Sequence, residues 1–124
     1  MSVEIDSKNV EDVRQIVKSI VEHSLGEIEK CVIASEDGIP IVAQGTSGDE
    51  ANILAAIAAP LLAAAQSAIE YIEKTGIKMV NIELDNGKHL IVTVFGKKNI
   101  LAVLTRVRPN LGLIYYLLEK YGKG

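Results

Sequence analysis

The sequence predicts a single-domain α+β protein whose helices and strands follow in the order α-β-β-α-β-β-β-α. Three observations predict it: a long helical stretch at 49–74, apolar runs of strand length, and glycine-containing turns between those runs. At 124 residues the chain is long enough for one hydrophobic core. A hydrophobic fraction of 48% and a net charge of −3 are typical of a soluble globular protein.

The first helix is predicted to begin at Asn9, a residue type favoured as an N-cap. Residues 1–8 are expected to form a flexible arm, so that a single domain covers 9–124. Apolar residues recur at helical spacing as far as Leu25, and Gly26 is expected to end this helix. Charged residues share its opposite face, which indicates a surface helix packed on one side.

A hairpin follows the first helix. Residues 31–35 and 39–43 have the composition of strands, and the turn between them contains Gly38, which supplies a positive φ. Pro40 cannot donate a hydrogen bond to a neighbouring strand, so the second strand is predicted to be an edge strand or to be bulged there.

The central helix, 49–74, has two different faces on a helical wheel. Its aliphatic stripe, expected to cover the sheet, contains Ile53, Leu54, Ile57, Leu61, Leu62, Ile69 and Ile72. Its other half contains Asn52, Ala55, Ala56, Ala59, Ala63, Gln66 and Glu70. These alanines are either neutral surface residues with high helix propensity or a flat face that another backbone can approach closely. Pro60 is expected to bend the helix.

Three further strands and a last helix complete the chain. Residues 78–84 alternate apolar and polar, as in a strand buried on one face near a sheet edge, whereas 89–95 and 100–105 are apolar on both faces and are predicted to be central. Asp85-Asn86-Gly87 is a strong hairpin signal. Pro109 suits the first turn of the last helix.

Composition excludes several classes of function. An acidic balance, the absence of Trp and a single Phe argue against nucleic-acid binding. The single cysteine, Cys31, lies among apolar residues and is expected to be buried and inert, which fits a cytoplasmic location, as does the lack of a secretory signal pattern. The apolar run 53–65 is shorter than the roughly 20 residues that span a bilayer, so no membrane insertion is expected.

No catalytic, cofactor or metal site is predicted. The loop at 45–50 precedes a helix but lacks the lysine and Ser/Thr of a phosphate-binding loop. His23 and His89 have no partner at metal-ligand spacing. Lys97 and Lys98 are interpreted as a solvated turn, with contact to an acidic partner as the alternative. Arg106 and Arg108 are expected to have structural roles at a strand end. The protein is therefore predicted not to be an enzyme.

The segment CVIASEDGIPIVA at 31–43 resembles the first hairpin of the roadblock family of dynein light chains and GTPase regulators, in which a strand ends in Ser-x-Asp-Gly and an apolar strand returns. The Ala-rich helix from Asp49 is similar to that family's long dimer helix. IELDNGKHLIVTVFGKKNILAVLT at 82–105 is similar to its closing meander, and the helix from Pro109 matches as well. The resemblance covers essentially the whole chain.

This resemblance implies a five-stranded, mostly antiparallel sheet of order 2-1-5-4-3, sandwiched between the central helix and the two terminal helices. It also implies a homodimer formed through strand 78–84 and helix 49–74. The implied role is non-enzymatic: an interaction module that binds and regulates a small Ras-like GTPase, as a platform or GTPase-activating co-regulator, or an adaptor in motor and signalling complexes.

The residues support a partner surface at the same place, because Pro40 protects one sheet edge and no comparable residue protects strand 78–84. The predicted dimer interface consists of Asn52, Ala55, Ala56, Ala59, Ala63, Met79, Asn81 and Glu83. The predicted surface for the GTPase consists of Ala59, Ala63, Gln66 and Glu70. The alternative function is a small-ligand sensor of the PAS-like type, although no cluster of polar residues that would orient a ligand is visible.

Overall fold

The computed structural model describes residues 9–123 and confirms the predicted order of elements. The predicted arm, 1–8, lies outside the described residues. The elements are α1 (Val10–His23), β1 (Ile28–Ala34), β2 (Pro40–Gln44), α2 (Gly48–Glu73), β3 (Met79–Glu83), β4 (His89–Phe95), β5 (Asn99–Thr105) and α3 (Leu111–Tyr121). β1 begins three residues earlier than expected and α3 begins after Asn110, whose side chain accepts a hydrogen bond from the Leu113 N–H.

The five strands form one sheet in the order β2-β1-β5-β4-β3, and every neighbouring pair is antiparallel. The order that the resemblance implied is therefore confirmed. β2 is one edge, and the register between β1 and β2 shifts opposite Pro40, where Ala34 is its partner. This is the combination expected of a strand that contains proline. β3 is the other edge.

Each face of the sheet is covered by a separate helical layer. On one face, α1 and α3 pack over a core that includes Ile33, Ile91 and Leu101, with Val17, Ile20 and Ile114 from the helices. On the other face, α2 packs over two smaller clusters, one around Val92 and Ala102 and one around Val32 and Ala34. The three-layer arrangement agrees with the one implied by the resemblance.

The predicted orientation of α2 is wrong for three of its isoleucines and right for its leucines. The residues it buries are Ala51, Ala55, Ala58, Ala59 and Leu62, whereas Ile53 is 59% exposed and Ile57 is 51% exposed. Ile72, also assigned to the core stripe, is exposed. The helix therefore presents mainly small residues to the sheet and leaves three of the seven stripe residues exposed, while Leu62 is buried and Leu54 and Leu61 pack against the core as expected.

The turn between β1 and β2 limits the space available to side chains on the inner face of α2. A Cβ atom added at Gly38 would lie 3.2 Å from the Ala55 carbonyl oxygen and 3.6 Å from the Ala59 methyl group. Branched side chains on this face of α2 would occupy the place of the turn. The alanines of α2 do allow another backbone to approach closely, as predicted. That backbone is the β1–β2 turn of the same chain, not a second protein.

A capping box fixes the start of α2. The Ser47 hydroxyl accepts from the Glu50 N–H, and the Glu50 carboxylate accepts from the Ser47 N–H, both at 3.2 Å. Lys30 pairs with the same carboxylate at 3.2 Å. The Ser47 hydrogen bond and then the Lys30 ammonium lower the pKa of Glu50. The helix N-terminus is thus occupied by a carboxylate of this chain, which argues against phosphate binding there.

Candidate interaction surface

An exposed apolar ridge runs along the outer side of α2. It is formed by Ile53, Ile57, Pro60, Ala64 and Tyr71, which lie on one side of the helical wheel and are all exposed. Large apolar side chains that remain in water on one face of a helix are typical of a protein-binding surface. This ridge was missed by the sequence reasoning, which assigned two of its isoleucines to the core.

The alanines predicted to contact a partner divide into two groups. Ala55 and Ala59 are 0% and 4% exposed and are enclosed by the chain's own sheet and β1–β2 turn, so they are not accessible to a second helix. Ala56 and Ala63, like Asn52, are exposed. The prediction for Ala55 and Ala59 is therefore corrected, because the sheet already covers them.

Two polar residues predicted to border the partner surface also have different surroundings. The Gln66 side-chain oxygen accepts a hydrogen bond from the Ile77 N–H at 3.0 Å, so this residue anchors the connection from α2 to β3. Glu70 is exposed, and its side chain remains available to a partner. Gln66 is thus a structural residue at the end of the surface, whereas Glu70 stays a predicted contact.

The free edge of the sheet is β3, and its main-chain groups alternate in direction. The Leu84 N–H donates to the Lys88 carbonyl at 2.8 Å, so this pair is hydrogen-bonded toward β4. In the regular register with β4, Ile82 and Val80 follow as the next hydrogen-bonded positions. The N–H and C=O groups of Met79, Asn81 and Glu83 therefore point away from the sheet, where another strand can pair with them.

A polar network holds the side chain at the centre of β3. The Asn81 amide donates to the Tyr115 hydroxyl on α3, and its oxygen lies 2.7 Å from His89 Nδ1. Met79, on the same side of the strand, packs against the core beneath α1 and α3. The side chains of Met79 and Asn81 thus lie on the α3 side of the sheet, and it is their main chain that is free at the edge.

The fold places the candidate metal ligands and the arginines as follows. No group of three His, Cys, Asp or Glu residues within 9–123 is placed to hold a metal ion. His23 lies against Tyr121, and the Arg106 guanidinium is 3.4 Å from Glu27. The structural role of Arg106 at the strand end stays a prediction, and this exposed ion pair is consistent with it.

Cys31 is fully buried, as expected, and burial raises the pKa of its thiol from 9.0 to about 12. The thiol is neutral in the folded state at every physiological pH. Its folded-state pKa is the higher one, so its contribution to stability is complete below about pH 9 and is lost between pH 9 and 12.

We expect Cys31 in the native protein to react with iodoacetamide at pH 8 at least about 100-fold more slowly than in 6 M guanidinium, because a buried neutral thiol is a poor nucleophile. Mass spectrometry of the alkylated protein over time measures both rates. Equal rates would show that β1 opens readily and that the thiol is accessible.

α2 is long and apolar enough to cross a membrane by length and composition alone. The expectation of no membrane insertion was based on the shorter run 53–65. The length of the whole helix does not exclude insertion. One face of α2 packs on the chain's own sheet, where Ala55, Ala58 and Leu62 are buried.

The family model described as "Roadblock/LC7 domain" matches residues 23–105. An uncharacterized protein of Methanocaldococcus jannaschii is 28% identical over 111 residues, which cover 85% of this chain and 92% of that protein. The matched region contains the whole sheet, α2 and the free edge of β3.

Solved structures have the same fold. A Roadblock/LC7 domain from Streptomyces avermitilis has a TM-score of 0.82 at 24% identity, with 89% of this chain and 91% of that chain covered. MglB of Myxococcus xanthus has a TM-score of 0.83 at 16% identity, with 97% of this chain and 89% of that chain covered. The PAS-like alternative gains no support from these comparisons.

Proposed function

Because the chain belongs to the Roadblock/LC7 family, we propose that it is a homodimeric interaction module that binds and regulates a small Ras-like GTPase. The observation that carries the proposal is the combination of an unpaired sheet edge, β3, with an exposed apolar ridge on α2. The proposed cellular location is the cytoplasm. The proposed regulation needs no catalysis by the module itself.

The proposed dimer joins two β3 strands in antiparallel pairing, so that two five-stranded sheets become one. The outward main-chain groups of Met79, Asn81 and Glu83 supply the hydrogen bonds. The exposed ridge of α2 then packs in part against the second α2, where Asn52, Ala56 and Ala63 border the contact. MglB has been described in a tetrameric arrangement, which is consistent with self-association in proteins of this fold.

The remainder of the ridge is the proposed docking surface for the GTPase. Ile53, Ile57 and Tyr71 give it an apolar centre, and Ala63 and Glu70 lie at its border. An apolar centre with a polar rim is the usual composition of a protein interface. An adaptor role in a larger complex would use the same surface without a change in nucleotide hydrolysis.

Asn81→Pro is expected to weaken the dimer roughly 30-fold. The substitution removes one outward N–H from each copy, and two lost hydrogen bonds at about 1 kcal/mol each correspond to that factor. The ladder to β4 is retained, since this N–H does not point toward β4. Light scattering with sedimentation analysis across a concentration series measures the dissociation constant.

Two matched variants separate the causes. Asn81→Ala removes the side-chain bonds to Tyr115 and His89 but keeps the N–H, and should remain dimeric. Ile82→Pro removes an N–H directed at β4 and should lower the thermal midpoint of unfolding. A wild-type protein that is monomeric at micromolar concentration would remove self-association from the proposal. A dimer that Asn81→Pro does not weaken would place the dimer interface elsewhere.

The protein alone is expected neither to bind nor to hydrolyse GTP, because the Glu50 carboxylate caps the helix end after the loop at 45–50, where a phosphate would otherwise bind. Calorimetry with GTP tests this directly.

The regulatory role is tested by measuring single-turnover GTP hydrolysis and nucleotide exchange of small Ras-like GTPases from the same genome, with wild-type protein and with Ile57→Lys. A binding GTPase whose hydrolysis and exchange are unchanged would indicate an adaptor.

A further inference from the structure

The middle of the α2 ridge carries no charge. Residues 51–69 contain no Asp, Glu, Lys or Arg. At about 1.5 Å per residue, this stretch of helix extends over about 28 Å. Apolar contact has no preferred direction, so a ridge of this composition can bind a partner without fixing its orientation along the helix. A partner that docks here in one orientation therefore needs charged groups beside the ridge.

Two hairpin turns lie along one flank of this ridge. The β1–β2 turn touches the first half of α2, because a Cβ atom added at Gly38 would lie 3.3 Å from the Ala56 Cα atom. The β4–β5 turn lies further along the helix, since Lys97 and Lys98 line a cavity of about 320 Å³ together with Ala63. Ala56 and Ala63 are both exposed and share one side of the helical wheel, next to the ridge.

Both turns border the same depression at this end of the sheet. Glu36 of the β1–β2 turn lines the cavity of about 320 Å³, and so do the buried residues Leu62 and Ile100. A second cavity of about 380 Å³ shares Glu36 and Lys98 with the first and is also lined by Asp37. The charged side chains of the two turns therefore surround one concave surface that continues onto α2.

The charges on these turns are separated by sign. The β1–β2 turn carries Glu36 and Asp37, whereas the β4–β5 turn carries Lys97 and Lys98. All four side chains are exposed, and none of them makes an ion pair or a side-chain hydrogen bond with any residue in 9–123. The Asp37 carboxylate thus does not support its own turn through a hydrogen bond. Along the flank of α2, an acidic group is followed by a basic group, and both remain available to a partner.

We propose that this charged flank, formed by Glu36, Asp37, Lys97 and Lys98, orients the GTPase on the α2 ridge. The GTPase surface that fits has a basic group opposite the β1–β2 turn and an acidic group opposite the β4–β5 turn, beside the apolar patch that covers the ridge. The inference rests on the proposed function, because its occupant is the partner that the ridge binds. It adds the residues that select this partner and set its direction. Charges at the rim of an interface act mainly on the association rate and on the choice of partner.

The test measures association kinetics by surface plasmon resonance. The probe is a small Ras-like GTPase from the same genome that binds the wild-type protein, immobilised with a non-hydrolysable GTP analogue. One variant reverses the acidic turn (Glu36→Lys with Asp37→Lys) and another reverses the basic turn (Lys97→Glu with Lys98→Glu). Each should associate at least about tenfold more slowly than wild type at about 50 mM salt, and within about threefold of wild type at about 500 mM salt. An effect of net charge alone would move the two rates in opposite directions.

A third variant combines all four substitutions and is the matched control for charge. Two acidic residues become lysines and two lysines become glutamates, so the net charge stays at −3 while the pattern on the flank is inverted. We expect this variant to associate at least as slowly as either pair. Association at the wild-type rate would show that the pattern has no role and would overturn the inference.

Stability measurements keep these results interpretable. The four side chains are exposed and unpaired within 9–123, so every variant should unfold within about 3 °C of wild type. Neutral replacements, Glu36→Gln with Asp37→Asn and Lys97→Gln with Lys98→Gln, provide a second set should a reversed turn fold poorly. Each neutral pair should slow association about threefold at low salt, and an unchanged rate in both would overturn the inference.

Ile57→Lys, measured with the same probe, shows which of the two proposals fails. If Ile57→Lys loses binding while the four-substitution variant associates at the wild-type rate, the ridge binds the GTPase and only the inference about the charged flank is overturned. If no small Ras-like GTPase of the genome binds the wild-type protein, the proposed function fails and this inference fails with it. Slow association of the turn variants together with full binding of Ile57→Lys would overturn both, since the partner would then lie on the turns and not on the ridge.

Discussion

Replacing Gly45 with alanine is expected to destabilise the fold by about 3–4 kcal/mol, a loss that only a short list of mechanisms produces. Gly45 follows β2 and has a φ of +78°, and a Cβ atom there would lie 2.2 Å from the Glu29 carbonyl oxygen. The Glu29 carbonyl oxygen belongs to the backbone of β1, and the added Cβ atom would belong to the loop that leads to α2. Neither is the flexible end of a side chain. The added methyl group must therefore displace the loop from the sheet, and urea unfolding followed by circular dichroism measures the loss.

Gly26→Ala is the matched control. Gly26 also has a positive φ, +88°, but a Cβ atom added there would have no neighbouring atom within 4 Å. This variant carries only the conformational cost of a left-handed alanine, about 1–2 kcal/mol. If Gly45→Ala were no more destabilising than Gly26→Ala, the close approach between the loop and β1 would not be present in solution.

Local signals in the sequence were sufficient to predict the order of elements. Apolar alternation in 78–84, continuous apolar runs in 89–95 and 100–105, and the Asp-Asn-Gly turn each depend on neighbours along the chain. The edge position of β2 was also predictable, because Pro40 lacks a donor wherever the strand lies in the sheet. The sheet order depended on resemblance to the family, since no residue in a single sequence specifies which non-consecutive strands pair.

The orientation of α2 could not be predicted from hydrophobicity. Both of its faces are apolar, so the usual rule that larger aliphatic residues face the core gave a stripe that overlaps the buried face at Leu62 but wrongly includes Ile53 and Ile57. What decides the orientation is the available space: the β1–β2 turn approaches Ala55 and Ala59 too closely for branched side chains. This distance is a tertiary property, and the only sequence signal for it was the spacing of the small residues themselves.

Ala59→Arg is expected to destabilise the isolated fold by about 3–5 kcal/mol, which is the cost of placing an unpaired charge in a buried position. Ala59 is 4% exposed and packs in a cluster with Leu62, Val92 and Ile100. Were this face a free partner surface, the substitution would abolish binding and leave the fold intact. Circular dichroism with urea unfolding, carried out alongside the light-scattering measurement, distinguishes a fold defect from a binding defect.

Ala63→Arg, one helical turn further along, is the control that makes the result interpretable. Ala63 is exposed, and arginine keeps helix propensity high, so this variant should unfold within about 0.5 kcal/mol of wild type. Any loss of dimerisation or GTPase binding in Ala63→Arg then reports on the border of the α2 ridge. Equal stability of the two variants would mean that α2 does not pack on the sheet through its alanines, and both the corrected orientation and the exposed ridge would have to be abandoned.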